Sequence, residues 1–355
     1  MNMTEGLLLY LIKKFNGERS LSGLLHMLNG KKTSQTLSDG HLFNISSFFG
    51  ILPGLRRNEA EHTAAELLKR GWVCLENDRY TITDKGAQVT EDFFNLHPYL
   101  FMFDGMRYKQ AEQPFYQLLT LYIQSLSHAI RQDFSFLPVS QDPAVLHSVK
   151  VWFPKGEDRQ KEADQLYREM LALLSEWADL DAENFVLRLS RHNRTGLTNK
   201  QVAQILQIPE VEAQLRFRSM LHFLLKRAKE AHEEYKVLNK LMAGLDLDKP
   251  LTLSAQKTWN LLNEGKSMEQ IINIRRMKKS TIEDHLVEIA IHYDRFSIDH
   301  YVSLEEQQRI LNAYTVLQTK KLKVIKDRLE DISYFKIRLV LGKAGDILGT
   351  SNPVI

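Results

Sequence analysis

The chain has 355 residues, enough for more than one core, with 43% hydrophobic and 26% charged residues, a composition that excludes a largely disordered chain. A formal charge of +3 is too small to identify a polyanion partner by itself, and the single cysteine, Cys74, excludes internal disulfides and cysteine-rich zinc sites. No apolar run approaches the roughly 20 residues of a membrane helix, and no secretion signal is legible at the N-terminus, so a cytoplasmic, nucleoid-associated protein is expected.

In residues 1–95, apolar residues recur at helical spacing over 7–15, 21–28 and 60–68. After Gly71 the pattern changes to two short β-prone runs, Trp72-Val73-Cys74-Leu75 and Arg79-Tyr80-Thr81-Ile82-Thr83, around the polar Glu76-Asn77-Asp78. Helices followed by one hairpin predict a winged helix. Residues 96–184 form a leucine- and aromatic-rich helical spacer, acidic over 155–183 and interrupted by Pro138, Pro143 and Pro154.

A basic module follows at 185–245. Thr198 is placed to cap a short helix with Val202, Ile205 and Leu206 on its apolar face, and Ala203 is small enough for a second helix to cross closely. Pro209 suits the start of that second helix, which would carry Val211, Leu215 and Met220 inward and present Arg216 and Arg218 outward as DNA contacts. This pair resembles the promoter-reading helix-turn-helix of sigma factors. Residues 246–250 read as a linker to a second module at 251–345, and 346–355 as a tail. In that module Ser267 caps a short Ile-rich helix, and Ser280 is expected to cap a longer one with Ile282, Leu286 and Ile289 inward. Lys278, Lys279, Thr281 and His285 would then lie near the exposed start of a recognition helix.

The second module resembles the helix-turn-helix domain at the C-terminus of many bacterial RecQ-family DNA helicases. Its matching pieces are Thr258, Gly265-Lys266-Ser267, Ser280-Thr281-Ile282 with His285-Leu286, and Ser333-Tyr334 with Ile337-Arg338-Leu339-Val340. Ile272 and Arg276 stand where that family usually has alanine and glycine, which predicts a looser helix crossing and turn. The segments 15–20, Leu28-Asn29-Gly30-Lys31-Lys32-Thr33-Ser34-Gln35, Asp39-Gly40-His41 and Phe49-Gly50, with Gly71, Thr81, Thr83 and Gly86, resemble the winged-helix region of the same helicases. That resemblance implies phosphate contacts at Lys31, Lys32, Thr33, Ser34 and Gln35 and a wing tip at Asn77, Arg79 and Tyr80. The whole chain is similar to helicase-type helix-turn-helix proteins of bacillus-group bacteria, encoded beside a RecQ-type helicase.

No Gly-x-x-x-x-Gly-Lys-Ser/Thr loop is present, because Asn260 stands where Gly265-Lys266-Ser267 would need its first glycine, and no acidic motor motif is found. His285, His292 and His300 are too widely spaced for a compact metal site. The expectation is therefore a mainly α, multi-domain protein, a winged helix followed by helix-turn-helix modules, with no enzyme activity and no cofactor. Its expected partners are duplex or fork-like DNA and a RecQ-type helicase in repair or recombination, with no membrane. A transcription regulator and a scaffold without DNA affinity are the alternatives. The 31–35 loop is expected to carry more of the DNA affinity and residues 251–355 to dock a partner, so that the two ends are separable.

Overall fold

The computed structural model describes residues 1–245, 247 and 251–349, the last four by backbone alone. Most of the linker expected at 246–250, and residues 350–355 of the expected tail, lie outside the described residues. The protein is mainly α-helical. Its segments gather into two compact units, one formed by residues 1–93 together with 248–355, the other by residues 94–247.

The first unit opens with α1 (Met3–Phe15), started by a capping box between Asn2 and Glu5. It continues through α2 (Leu21–Asn29), α3 (Ser34–Leu42) and α4 (Arg57–Lys69). Helix α2 stops at Gly30, where φ is +72° and any Cβ would lie 2.9 Å from the Gly50 Cα, so only glycine fits the crossing. The expected hairpin is present as β1 (Val73–Glu76) and β2 (Arg79–Ile82), antiparallel with Val73 opposite Ile82 and Glu76 opposite Arg79. Asn77 and Asp78 both take positive φ, the two-residue turn whose twist matches the strands. Helix α5 (Asp84–Leu96) follows.

The second unit comprises α6 (Gly105–Tyr108), α7 (Glu112–Ile130), α8 (Pro143–Trp152), α9 (Asp158–Leu174), α10 (Asp179–Val186), α11 (Asn199–Leu206), α12 (Glu210–Glu230) and α13 (Lys236–Met242). One apolar cluster runs through it, from Tyr108, Phe115 and Tyr122 through Leu166 and Phe185 to Leu224 and Leu241. The expected spacer (96–184) and first helix-turn-helix module (185–245) therefore share a core, because the long α12 is buried along most of its length. The acidic character of 155–183 does not prevent this: Glu169, on the inner face of α9, is buried and accepts from the Val237 and Leu238 N–H groups at 3.0 Å, capping α13.

The remaining helices return to the first unit: α14 (Leu253–Asn263), α15 (Met268–Arg275), α16 (Lys279–His292), α17 (Leu304–Leu317), α18 (Leu322–Arg328) and α19 (Tyr334–Gly349). Helix α16 packs between α14 and α19, and α3 packs on both α16 and α19. Gly345 makes the α3–α19 approach possible, since a Cβ there would fall 2.2 Å from the His41 ring. Polar ties reinforce it. Arg338 donates to Asp284 at 2.6 Å and also bonds Ser34, while the Ser34 hydroxyl donates to Asp284 at 3.1 Å. Glu18 accepts from the Thr319 hydroxyl at 2.8 Å and the Lys320 N–H at 3.2 Å. The two ends of the chain thus gather into one compact unit.

Candidate nucleic-acid interface

Both helix-turn-helix pairs are built alike. Thr198 and Ser267 each cap a short helix reciprocally with a glutamine three residues on, Gln201 and Gln270. Each short helix ends on a non-glycine residue in the left-handed region, Gln207 (φ 54°) or Arg276 (φ 50°). Arg276 thus adopts the conformation that glycine would take, and the turn is retained despite its Cβ. The second helices start at Pro209 and Lys278 as N-cap residues, so Ser280 lies in the first turn of α16 instead of capping it. Ala213 and Ile282 are the corresponding fully buried anchors of the two second helices.

The structure corrects three of the expected DNA contacts, two of them through that shared register. Arg216 and His285 each lie three residues beyond a buried anchor, hence on the same helix face, and both point inward. Arg216 pairs with Asp181 and Glu212, both at 2.8 Å, and its guanidinium stacks over the Tyr99 ring at 4.3 Å. Arg218 is buried against Glu112, two hydrogen bonds of 2.8 Å joining them. His222 donates its Nε2–H to the same carboxylate at 2.6 Å while its Nδ1 accepts the Asp104 N–H at 2.9 Å. Burial pushes the Glu112 carboxyl up, but the bonds from His222 and Arg218 overcome this and leave its pKa below the usual value. Ile205 and Val211, expected inward, are exposed.

His285 Nδ1 faces the Thr258 hydroxyl at 2.9 Å and the Arg275 guanidinium at 3.2 Å. Burial, and then the Arg275 charge, lower its pKa to about 4. His292 is lowered to about 4 as well, by burial and by the nearby His41 and Lys32. A histidine whose folded-state pKa lies below that of the unfolded chain binds protons preferentially when unfolded. Stability from this source is complete above about pH 6.5 and is lost as pH falls towards 4. We expect the melting temperature of the first unit to fall over that interval, and the slope to flatten in His285→Gln, as followed by circular dichroism between pH 7 and 4.

The remaining expected contacts fall into two places in the first unit. Arg276, Lys278, Lys279 and Ser280 are exposed at the start of α16, with Thr281 half-buried beside them. Beyond this turn α16 is occupied by its own chain: Asp284 is tied to Ser34 and Arg338, and Glu288 accepts from the Thr252 N–H and hydroxyl. The second place is an open groove of about 930 Å³ between α2, α3, the hairpin and α18. Thr33, Ser34 and Gln35 line it at the N-terminus of α3, where Thr33 caps the Thr36 N–H at 3.1 Å, and Arg79 lines it from β2. Lys31 and Lys32 are exposed just before α3, while Asn77 and Tyr80 stay on the hairpin outside the groove lining.

Lys321, the N-cap residue of α18, and Lys323 in its first turn also line the groove. Arg19 and Arg338 also line it, yet each is held by a carboxylate, Arg19 by Asp39 at 2.7 Å and Arg338 by Asp284. Arg79, Lys321 and Lys323 have no carboxylate partner among the described residues. Arg79 only donates to the Glu18 carbonyl, at 3.4 Å. The groove therefore offers three uncompensated cations, several hydroxyls and the N–H end of a helix, a set suited to phosphate oxygens. A run of four lysines within seven residues, 320–326, was the available signal.

No helix among the described residues is long and apolar enough to cross a membrane. Residues 254–341, from α14 into the first half of α19, match the family model described as a helix-turn-helix domain. No solved structure matches the chain. The Bacillus subtilis (strain 168) protein YpbB is 33% identical over 346 residues, covering 97% of this chain and 98% of that protein. A match of that extent includes both compact units and the helix-turn-helix domain, and the chain belongs to the YpbB family.

Proposed function

We propose that this protein is a non-catalytic DNA-binding accessory factor that acts with a RecQ-type helicase in repair or recombination. The observation that carries the DNA part is the groove with Arg79, Lys321 and Lys323 unpaired, in the same compact unit as the helix-turn-helix domain. Phosphate contacts are favoured over base readout because α16 is covered beyond its first turn by α3. The helicase partnership rests on the resemblance of both ends of the chain to a helicase's auxiliary domains, and the non-catalytic reading on the missing phosphate loop. A transcription regulator is the second reading. It is favoured by the exposed Lys278-Lys279-Ser280 turn, and it requires strong preference for one duplex sequence.

Affinity for duplex or forked DNA should fall steeply with salt, each neutralised phosphate contributing about −0.9 to the slope of log affinity against log salt. Lys321→Ala plus Lys323→Ala should reduce that slope by up to about two. Lys31→Ala plus Lys32→Ala should reduce it by less, since neither lysine lines the groove and the Glu288 carboxylate lies near Lys32. Fluorescence anisotropy at several salt concentrations measures both. An unchanged slope in the groove variant would reject the groove as the DNA site. Capture of the helicase after nuclease treatment tests the partnership, and loss of capture with the DNA would remove it.

A further inference from the structure

In the second unit, two neighbouring side chains and a third some sixty residues on converge where two turns meet. His128 lies in the last turn of α7, Asp133 follows a reversal at Gln132 (φ 57°), and His192 sits in the tight turn closed by the Arg191–Arg194 bridge. His128 Nδ1 stands 3.0 Å and His192 Nε2 3.5 Å from the same Asp133 oxygen, Oδ2. One ligand atom from each of the three lies within 4.8 Å of both others.

The backbone holds this arrangement. The Asp133 N–H donates to the His128 carbonyl at 3.1 Å, and the Ser135 N–H donates to Asp133 Oδ1 at 3.0 Å, which leaves Oδ2 facing the imidazoles. The His192 N–H donates to the Ser127 hydroxyl at 2.9 Å, fixing its turn to the end of α7. The His128 ring stacks on Phe136, centroids 4.3 Å apart. His192 and Asp133 keep 28% and 37% of their side-chain surfaces open, so solvent and ions reach the cluster from one side.

We propose that His128, Asp133 and His192 form a binding site for one divalent transition-metal ion of the zinc type, held by two imidazoles and one carboxylate oxygen, with the remaining position open to water. Zinc bonds nitrogen at about 2.0–2.1 Å and carboxylate oxygen at about 2.0–2.2 Å, which sets the donors of a tetrahedral site roughly 3.3 Å apart. The two spacings to Oδ2, 3.0 and 3.5 Å, bracket that value. Two nitrogen donors and one carboxylate select against calcium and magnesium, which require mostly oxygen ligands. A bound ion would staple the end of α7 to the segment that leads into Thr198 and the α11–α12 pair. This site lies in the unit that does not contain the groove, and its test is independent of the DNA reading.

The competing arrangement is a cluster in which both imidazoles donate N–H to Asp133 and no ion is taken up. Isothermal titration of the untagged, chelator-stripped full chain with zinc chloride separates the two. We expect one site, weakened at least tenfold in His192→Ala and in Asp133→Asn, and no heat with magnesium chloride. Cobalt(II) should give a visible absorption band that His192→Ala abolishes, and excess zinc should raise the melting temperature of the wild type but not of that variant. His192 is partly exposed, so its replacement tests the site even if Asp133→Asn fails to fold. Absence of zinc binding, or equal binding by wild type and both variants, would overturn the proposal.

Discussion

Residues 1–93 produced without residues 248–355 are expected to lack a cooperative fold, whereas residues 94–247 produced alone should melt in a single transition. The first half follows from α3. It carries the buried Leu37 and Leu42, and α16 and α19 pack against it, while Glu18 and Ser34 bond Thr319, Lys320, Asp284 and Arg338. Removing α14 to α19 exposes apolar side chains worth about 1.5–3 kcal/mol each. A few of these consume the roughly 5–15 kcal/mol by which a domain is stable. The second half follows from the apolar cluster of residues 94–247, which extends from Tyr108 to Leu247 within that unit. Circular dichroism melts of the two fragments decide the matter. A well-folded 1–93 fragment would mean that the two ends are separable after all, and deletion of 251–355 would then report on partner docking alone.

Arg218→Ala is expected to destabilise the second unit by about 3–5 kcal/mol, the cost of leaving a buried carboxylate without its cation. Glu112 would keep only the hydrogen bond from His222, a histidine whose pKa burial lowers and which is therefore a poor cation. The partner substitution Glu112→Gln should cost a comparable amount, because it removes the carboxylate charge that the buried Arg218 guanidinium faces. Arg218→Met together with Glu112→Leu should recover part of the loss, since neither charge is then buried alone. Urea denaturation of residues 94–247 measures all three. Losses within about 1 kcal/mol for the single variants would show that water reaches the pair.

Several features were legible because they depend on neighbours in sequence. The hairpin follows from two β-prone runs around Asn77-Asp78, a pair that tolerates positive φ. Thr198 and Ser267 are caps because a side-chain oxygen precedes an apolar-periodic helix. The burial of Arg216 and His285 was within reach of the same reasoning. Both follow a small or apolar anchor by three residues, and the helical period puts them on its face.

The sequence by itself determined a mainly helical protein, its hairpin, and two helix-turn-helix pairs, since these rest on period, caps and turns that act over a few residues. Tertiary structure alone decided that residues 1–93 and 251–349 share one body, which depends on Gly345 admitting His41 and on the Asp284 and Glu18 carboxylates accepting hydrogen bonds across more than 200 residues. It also decided which cations are free. Arg19, Arg216, Arg218 and Arg338 are locked by acids that chain distance does not reveal, while Arg79, Lys321 and Lys323 keep their charge available in the groove. The His128–Asp133–His192 cluster belongs to the same class, because His192 reaches the other two only through the packing of its turn on the end of α7.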